Sequence, residues 1–270
     1  MRIAFIGDIV GQPGRKMVQQ HLKAIREEYE IDLVIANYEN ASHGFGLTSK
    51  NANELISFGV DVMSGGNHSW DKKDILPLFE THELLRPHNY PEEVPGTGCK
   101  IYDVGGEPLA IVNLMGHFSM PYADNVFRCA KETVESIRSV DDVQNIFIDF
   151  HAEATSEKRA LMMLLQGKVS AIIGTHTHVS TDDFQISQGT AYLSDIGLTG
   201  CRDNVIGMDE KVPLKQFLTG MKGHFEIPKK CKSILQIAIM DIKNGKCEAA
   251  FKLKQFDDGR LIRTNAWVEE

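Results

Sequence analysis

The sequence of 270 residues contains few cysteines, no long hydrophobic run and no excess of basic charge. Its cysteines are scattered and odd in number: Cys99, Cys129, Cys201, Cys231 and Cys247. None forms a Cys-x-x-Cys pair, so we expect reduced thiols and no disulfide framework. No apolar stretch approaches the length of a membrane span, and the apolar run before Gly7 is more typical of a core strand than of a signal peptide. We therefore expect a cytoplasmic protein with no membrane partner.

Acidic residues outnumber basic ones, with 37 Asp and Glu against 29 Lys and Arg and a formal net charge of −8. A protein that binds duplex nucleic acid through the phosphate backbone needs a basic face, so nucleic acid is not expected as a direct partner. A small phosphate substrate is compatible with this balance, because a metal ion can supply positive charge locally. The composition, 42% hydrophobic and 24% charged, is that of a globular protein and excludes a disordered chain.

Short apolar runs alternate with segments of helical periodicity along much of the chain. The apolar runs predict strands at 2–6, 33–36, 60–63, 109–114, 146–150 and 171–173. The periodic segments predict helices at 15–29, 49–58, 123–138 and 157–165. Strands that alternate with helices indicate an α/β layered fold.

The end of the chain has a different pattern. Two long strand-like segments, 233–242 and 247–256, flank an Asn-Gly pair that strongly predicts an antiparallel hairpin. No linker rich in Pro, Gly or Ser and no internal repeat interrupts the sequence. We therefore predict a single domain over residues 1–270, with an antiparallel edge at the C-terminus.

Residues of metal-ligand type follow almost every predicted strand. They are Asp8, Glu39, Asn67, His151, His176 and His178. Ligands of α/β folds gather at the carboxyl ends of strands, so we expect these side chains to converge although they are far apart in sequence. Their mixed oxygen and nitrogen donors suit two metal ions that share a bridging carboxylate. Since alternate residues of an extended strand point to opposite faces, His176 and His178 should lie on a turn just beyond their strand.

Each of these residues has a simpler interpretation when it is taken alone. Asp8 could be a turn or helix-cap residue, and Glu39 could belong to an exposed loop. Asn67 could lie in a tight turn, and His151 could be an ordinary interior histidine. Their joint placement at successive strand ends is difficult to obtain from independent turns, so it favours a metal centre.

Several segments also resemble a known family. The opening RIAFIGDIVGQPGR, the segment ANYENASHGFGLT, the run GGNHSWDKKDI, and IIGTHTHV followed by SDIGLTG are similar to the bacterial YmdB-type phosphodiesterases of the calcineurin-like metallophosphoesterase superfamily. The resemblance keeps the motifs in order over nearly the whole chain. It implies an α-β-β-α metallophosphoesterase sandwich, a dinuclear metal centre and hydrolysis of phosphodiesters, including cyclic nucleotides such as cyclic AMP.

The broader superfamily usually has a histidine ligand where this chain has Val10 and an aspartate where it has Glu39, and the YmdB-type pattern shares both changes. The resemblance implies a ligand set for each of two metals, with Glu39 bridging them. Asp8, Glu39, Asn40 and His178 would hold one metal, and Glu39, Asn67, His151 and His176 the other. We expect iron, with manganese, zinc, cobalt and magnesium as alternatives.

Two such cations would bind and deprotonate a bridging water, and the resulting hydroxide would attack phosphorus. His68 directly follows a candidate ligand, so we expect it to act as the general acid on the leaving alkoxide.

The loop 42–46 could form part of the substrate pocket or be a plain loop. Two alternatives stay open, a phosphomonoesterase or nuclease on the same fold and a regulatory module that senses a nucleotide. The sequence does not decide the oligomeric state. The C-terminal hairpin or the exposed helices could support a homodimer or homotetramer, but no heptad pattern predicts either.

Overall fold

Two stacked β-sheets form the centre of the structure, a computed structural model that describes residues 1–139 and 142–269. The strands are β1 (Arg2–Ile6), β2 (Leu33–Asn37), β3 (Val62–Ser64), β4 (Leu84–Leu85), β5 (Cys99–Val104), β6 (Glu107–Met115), β7 (Asn145–His151), β8 (Ala171–Thr175), β9 (Gln185–Ser187), β10 (Thr190–Leu193), β11 (Gly200–Cys201), β12 (Ser233–Lys243), β13 (Lys246–Phe256), β14 (Leu261–Asn265) and β15 (Trp267–Val268). The first sheet has the order β14-β13-β12-β1-β2-β3-β4, with β11 also paired to β12, and the second has the order β15-β9-β10-β8-β7-β6-β5.

Five helices cover the outer faces of the sheets among the described residues. They are α1 (Gly11–Glu28), α2 (Ser49–Ser57), α3 (Leu78–Thr81), α4 (Val126–Ser139) and α5 (Thr155–Leu165), with a 3₁₀ turn at Lys73–Ile75. A further helix, α6 (Lys211–Thr219), buries only Pro213 of its residues. Within 1–139 and 142–269, no helix combines the length and the apolar character that crossing a membrane requires.

Three apolar layers hold the sheets and helices together. Helix α1 buries one stripe, which includes Met17 and Leu22, against the first sheet, and α4 and α5 pack in the same way on the second. Between the sheets, the rings of Phe5 and Phe147 meet with their centroids 5.0 Å apart. Strands buried on both faces are nearly continuous in apolar residues, which is why β1 and β2 were recognisable in the sequence. The predicted α-β-β-α sandwich is confirmed.

The predicted elements differ from the observed ones mainly at their ends. The third strand begins at Val62 instead of position 60, because the amide of Val60 still bonds to the carbonyl of Leu55 at the end of α2. Strands β7 and β8 extend further than predicted, so that His151 lies within β7. Short strands such as β9 and β11 were not predicted because each is too short to show a clear period. The helix α6 was not predicted either; it contains Pro213, which is its one buried residue.

The C-terminal hairpin is formed by β12 and β13, as predicted. Asn244 and Gly245 both have positive φ, 51° and 79°, which is the backbone that two-residue hairpin turns require. The hairpin is not itself the edge of the sheet, because β12 pairs with β1 and β14 pairs with the outer side of β13. The predicted antiparallel edge therefore contains one strand more than expected.

The expectation of reduced thiols is wrong for two of the five cysteines. Cys201 and Cys231 form a disulfide with their Cα atoms 5.6 Å apart. The reason is the pairing of β11 with β12, which places Cys201 opposite Ser233 and therefore beside Cys231. This bond closes the loop of residues 202–230, which we call the capping segment and which includes α6.

We predict that proteolytic peptides carrying Cys201 and Cys231 stay joined when the protein is digested without reduction, because the strand pairing holds the two sulfurs together. Prior reduction should separate them and leave one alkylated cysteine on each peptide, as measured by peptide mass spectrometry. Full alkylation of both residues in denatured but unreduced protein would contradict the disulfide.

Candidate metal centre

The carboxyl ends of strands from both sheets meet at one edge of the sandwich. Asp8 follows β1, Glu39 follows β2, and His151 ends β7 in the opposite sheet. All three side chains are at most 1% exposed. Gly66, after β3, permits this close approach, since a Cβ there would lie 2.1 Å from Glu39 Oε2 and 2.5 Å from His151 Nε2. The structure therefore brings residues from distant parts of the chain into one buried cluster.

His151 Nε2 is the centre of the first group of donor atoms. It lies 2.9 Å from Asn67 Oδ1, 3.0 Å from Glu39 Oε1 and 3.0 Å from His176 Nδ1. An N–H on His151 Nε2 can donate to only one of these three atoms. The lone pairs of the other two atoms would then have no donor from this nitrogen. Glu39, His151 and His176 offer ligand atoms that all lie within 4.8 Å of one another, an arrangement that can hold a metal ion.

A second group of donors lies beside the first. His178 Nε2 is 3.1 Å from Asn40 Oδ1 and 3.9 Å from Asp8 Oδ1. Asp8 Oδ1 is buried and accepts no hydrogen bond from any described residue. A buried carboxylate oxygen without a partner is costly, and a cation bound here would satisfy it. The residues present therefore fit a metal ion at this position as well.

The ionisable groups of the cluster favour the binding of a positive charge. Burial alone would raise the pKa of Glu39, but His151 pulls it down to about 2. Burial alone would lower the pKa of His151, but Glu39 and Asp8 raise it above its ordinary value. Burial and the neighbouring His151 lower the pKa of His176 to about 3. One imidazole can thus hold a proton here while the next cannot, and a metal ion can take the place of that proton.

A buried hydrogen-bond chain orients His151. The hydroxyl of Thr175 donates to Asp149 Oδ1 at 2.7 Å, so toward His151 Nδ1, 3.0 Å away, it can act only as an acceptor. His151 Nδ1 must then carry the hydrogen, which leaves the lone pair of Nε2 facing the cluster. Burial raises the pKa of Asp149 to about 6, and donors from Asn37 and Ser64 counteract this by stabilising its charged form.

His176 and His178 lie on a turn after β8, as the sequence analysis expected. Both have left-handed backbone, with φ of 99° and 64°, a conformation that residues other than glycine rarely adopt. A buried ion pair supports this turn, because Lys158 Nζ donates to Asp195 Oδ2 at 2.7 Å and the same oxygen accepts from the amide of Thr177 at 3.1 Å. The ion pair therefore holds this unfavourable backbone conformation in place.

His68 borders the cluster but lies outside both groups of donors. Its Nδ1 is 2.8 Å from Asp71 Oδ2, and its amide donates to Glu39 Oε2 at 3.2 Å. The ring also meets Phe45 edge to face, with centroids 5.0 Å apart. Asp71 therefore fixes the imidazole in one orientation and occupies Nδ1, which leaves Nε2 for another partner.

These residues line a cavity of about 220 Å³. Part of the lining consists of candidate site residues, namely Glu39, Asn40, His68, His176 and His178. The rest includes Phe45, from the loop whose role the sequence left open, and several residues of the capping segment. The position of Phe45 favours the interpretation of the loop 42–46 as part of a pocket.

Sequence reasoning missed several residues of this region. Glu153 Oε2 is 3.1 Å from His176 Nε2, on the side of the ring opposite the cluster. Lys158 and Asp195 support the turn, and Thr175 and Asp149 orient His151. The position of Glu153, two residues after His151, was a weak indication that it belongs to the site. Lys158 resembled any charged residue of a helix. The capping segment gave no signal, because its side chains reach the cavity partly from irregular chain and partly from the short helix α6, which was not predicted.

The chain is similar over most of its length to known proteins. The family described as YmdB-like protein matches residues 4–253. A 2′,3′-cyclic-nucleotide 2′-phosphodiesterase of Bacillus subtilis (strain 168) is 43% identical over 244 residues, which are 90% of this chain and 91% of that protein.

Two solved structures are similar over nearly their whole length. A protein of Thermus thermophilus, described as hypothetical, has a TM-score of 0.87 and 37% identity, with 98% of this chain and 100% of that chain covered. A phosphatase of Mycoplasma pneumoniae, described as novel, has a TM-score of 0.88 and 32% identity, with coverage of 98% and 93%. The fold and the site thus define a metallophosphoesterase. Within that class, the chain belongs to the YmdB-like family.

We predict that Thr175→Val weakens metal binding by roughly 10- to 100-fold, the usual effect of losing the partner that orients a histidine ligand. The variant should fold, because Asp149 keeps the donors of Asn37 and Ser64. The measurement is titration of metal-free protein with Zn²⁺ or Mn²⁺ against a chelating dye.

Thr190→Val is the matched control for this experiment. Thr190 is equally buried, and its hydroxyl bonds to the backbone of Val169 and Gly167 and to no member of the cluster. Equal metal affinity in the two variants would show that Thr175 does not orient His151.

Proposed function

We propose that the protein is a metal-dependent phosphodiesterase that hydrolyses cyclic nucleotides, with 2′,3′-cyclic nucleotides as substrates. The observation that carries this proposal is the convergence of Asn67, Glu39 and His176 on His151 Nε2 at the wall of a cavity large enough for a small ligand. The named activity of the Bacillus subtilis relative supports the same substrate class.

Two metal ions would be held by the two groups of donor atoms. Asp8, Glu39, Asn40 and His178 would bind one ion, and Glu39, Asn67, His151 and His176 the other. The buried, unpartnered Asp8 Oδ1 and the three neighbours of His151 Nε2 support this assignment. When bound, such a pair activates water and neutralises charge on phosphoryl oxygens. The imidazole-rich donor set suits iron, manganese, zinc or cobalt better than magnesium.

His68 would supply the proton that the leaving oxygen needs. Hydrolysis of a 2′,3′-cyclic phosphate at its 2′ ester adds a hydroxyl to phosphorus and breaks the bond to O2′, which must gain a proton. His68 lies on the cavity wall beside Glu39, and its contact with Asp71 leaves Nε2 available to O2′. After each turnover, the ring regains its proton from solvent, because it is only partly buried.

We predict that His68→Ala lowers kcat for 2′,3′-cyclic AMP by roughly 10²- to 10⁴-fold, the usual contribution of a general acid. Metal content, measured by mass spectrometry of the purified protein, should stay at the wild-type value. His82→Ala is the control, since His82 is outside this cavity and bonds to Thr81 and Asn53. Unchanged turnover in His68→Ala would remove the role as acid, and loss of metal would instead make His68 a ligand.

We also predict about two metal ions per chain and loss of cyclic-nucleotide hydrolysis on chelation, restored by adding back Mn²⁺ or Fe²⁺. The variant Glu39→Gln should bind about one metal ion per chain instead of two, because it lacks the carboxylate that both groups of donor atoms share. Hydrolysis that survives full metal removal would contradict the proposal. Faster cleavage of monoesters or RNA than of cyclic nucleotides would instead favour the phosphomonoesterase or nuclease alternative.

A further inference from the structure

Part of the cavity lining is apolar and is not required for breaking a phosphate ester. Its residues are Phe45, Val205, Ile206, Met208, Pro213, Phe217 and Phe225. Apart from Phe45, all of them belong to the capping segment. A substrate held at the metal centre would thus extend from charged and polar ligands onto an apolar wall within one small cavity.

The wall has a fixed position relative to the metal centre. Phe45 touches the ring of His68, and Ile206 accepts a hydrogen bond of 2.8 Å from Nδ1 of His178. The loop 42–46 and the capping segment also meet directly, because a Cβ on Gly44 would lie 2.9 Å from Met208 Cε. The wall therefore begins at the residues proposed to act on the phosphate.

Phe217 is the most exposed part of this wall. Its side chain lines the cavity, and yet the residue is 82% exposed to solvent. Because most of its surface is open to solvent, the ring of Phe217 is available to a ligand in the cavity. An aromatic ring is also the side chain on which a nucleobase stacks.

Hydrogen-bonding groups are scarce on this side. Among the described residues that line the cavity, Gln216 is the one polar side chain contributed by the capping segment. Recognition by stacking and burial does not distinguish bases strongly, since every base has a π-face. The wall would accept purines and pyrimidines alike but would bind a phosphodiester without an aromatic ring poorly.

We infer that Phe45, Phe217 and Phe225 form a nucleobase subsite that makes the enzyme prefer nucleotides over other small cyclic phosphodiesters. This inference rests on the proposed function, because it assigns the part of the same cavity that selects the substrate. It predicts a strong preference for the presence of a base and a weak preference for its identity.

The test compares two esters that differ only in the base. One is 2′,3′-cyclic AMP, and the other is methyl β-ribofuranoside 2′,3′-cyclic phosphate, which has a methoxy group in place of adenine. Metal-loaded wild-type protein should show a higher kcat/KM for the nucleotide. Phe217→Ala should narrow that preference by about fivefold or more, as expected for removal of a ring that stacks on a base, whereas Phe217→Trp should keep it.

Leu218→Ala is the matched control, because Leu218 is the next residue of the same helix, is 83% exposed and does not line the cavity. It should keep the wild-type preference. An unchanged preference in Phe217→Ala would overturn the subsite, as would equal kcat/KM of wild-type protein for the two esters.

A binding measurement separates failure of the subsite from failure of the proposed activity. Calorimetry on metal-loaded protein compares adenosine 3′-monophosphate with the 3-phosphate of methyl riboside. Weaker binding of the nucleotide in Phe217→Ala but not in Leu218→Ala would support the subsite even if neither cyclic ester were hydrolysed. Equal affinity of wild-type protein for both ligands would reject the subsite even if hydrolysis occurred.

Discussion

The structure depends on a buried cluster of electron-rich atoms that needs positive charge. Asp8 and Glu39 are carboxylates almost completely removed from water, and an unpaired buried charge is strongly unfavourable. Imidazole nitrogens and amide oxygens face them instead of ammonium or guanidinium groups. A proton on His151 can neutralise part of this charge, as its raised pKa indicates, but Asp8 Oδ1 still has no donor among the described residues. Metal binding would therefore stabilise the fold as well as support the chemistry.

The two sheets are held in register at this edge by one carboxylate. Asp149 belongs to β7 in the second sheet, and its oxygens accept from Asn37 of β2 at 3.0 Å and from Ser64 of β3 at 2.5 Å, both in the first sheet. It also accepts from Thr175 of β8, which in turn orients His151. The same group thus joins the sheets and sets the direction of a candidate ligand. Small changes in sheet packing would move the candidate ligands, because packed interiors transmit such shifts.

The candidate metal ligands were predictable because each obeys a local rule. Asp8, Glu39 and His151 follow or end strands whose apolar pattern is visible in the sequence, and the carboxyl ends of strands are where ligands gather. The expected turn at His176 could likewise be deduced, because an extended strand would separate its side chain from that of His178. The residues that support this turn could not be predicted from the sequence. Lys158 is 1% exposed, but nothing distinguishes it from a solvated lysine until its helix is packed.

The residues that were not predicted share a different origin. The bond between Cys201 and Cys231 depends on the register of β11 against β12, a long-range pairing that no local pattern encodes. Phe217 and Phe225 reach the cavity from the capping segment, which that bond closes and which also contacts the loop 42–46. Segments that connect strands carry specificity in many folds because they vary more freely than strands do.

In this structure, however, the capping segment is not independent of the candidate metal centre. The carbonyl of Ile206 in the capping segment accepts the Nδ1 hydrogen of His178, which leaves Nε2 of that ring to face Asn40. Withdrawal of the capping segment would free the imidazole to rotate or to change the nitrogen that carries its hydrogen, and either change would weaken it as a ligand. The apolar wall and one group of donor atoms therefore form a single structural unit, so that the segment proposed to select the substrate also helps to build the site that would cleave it.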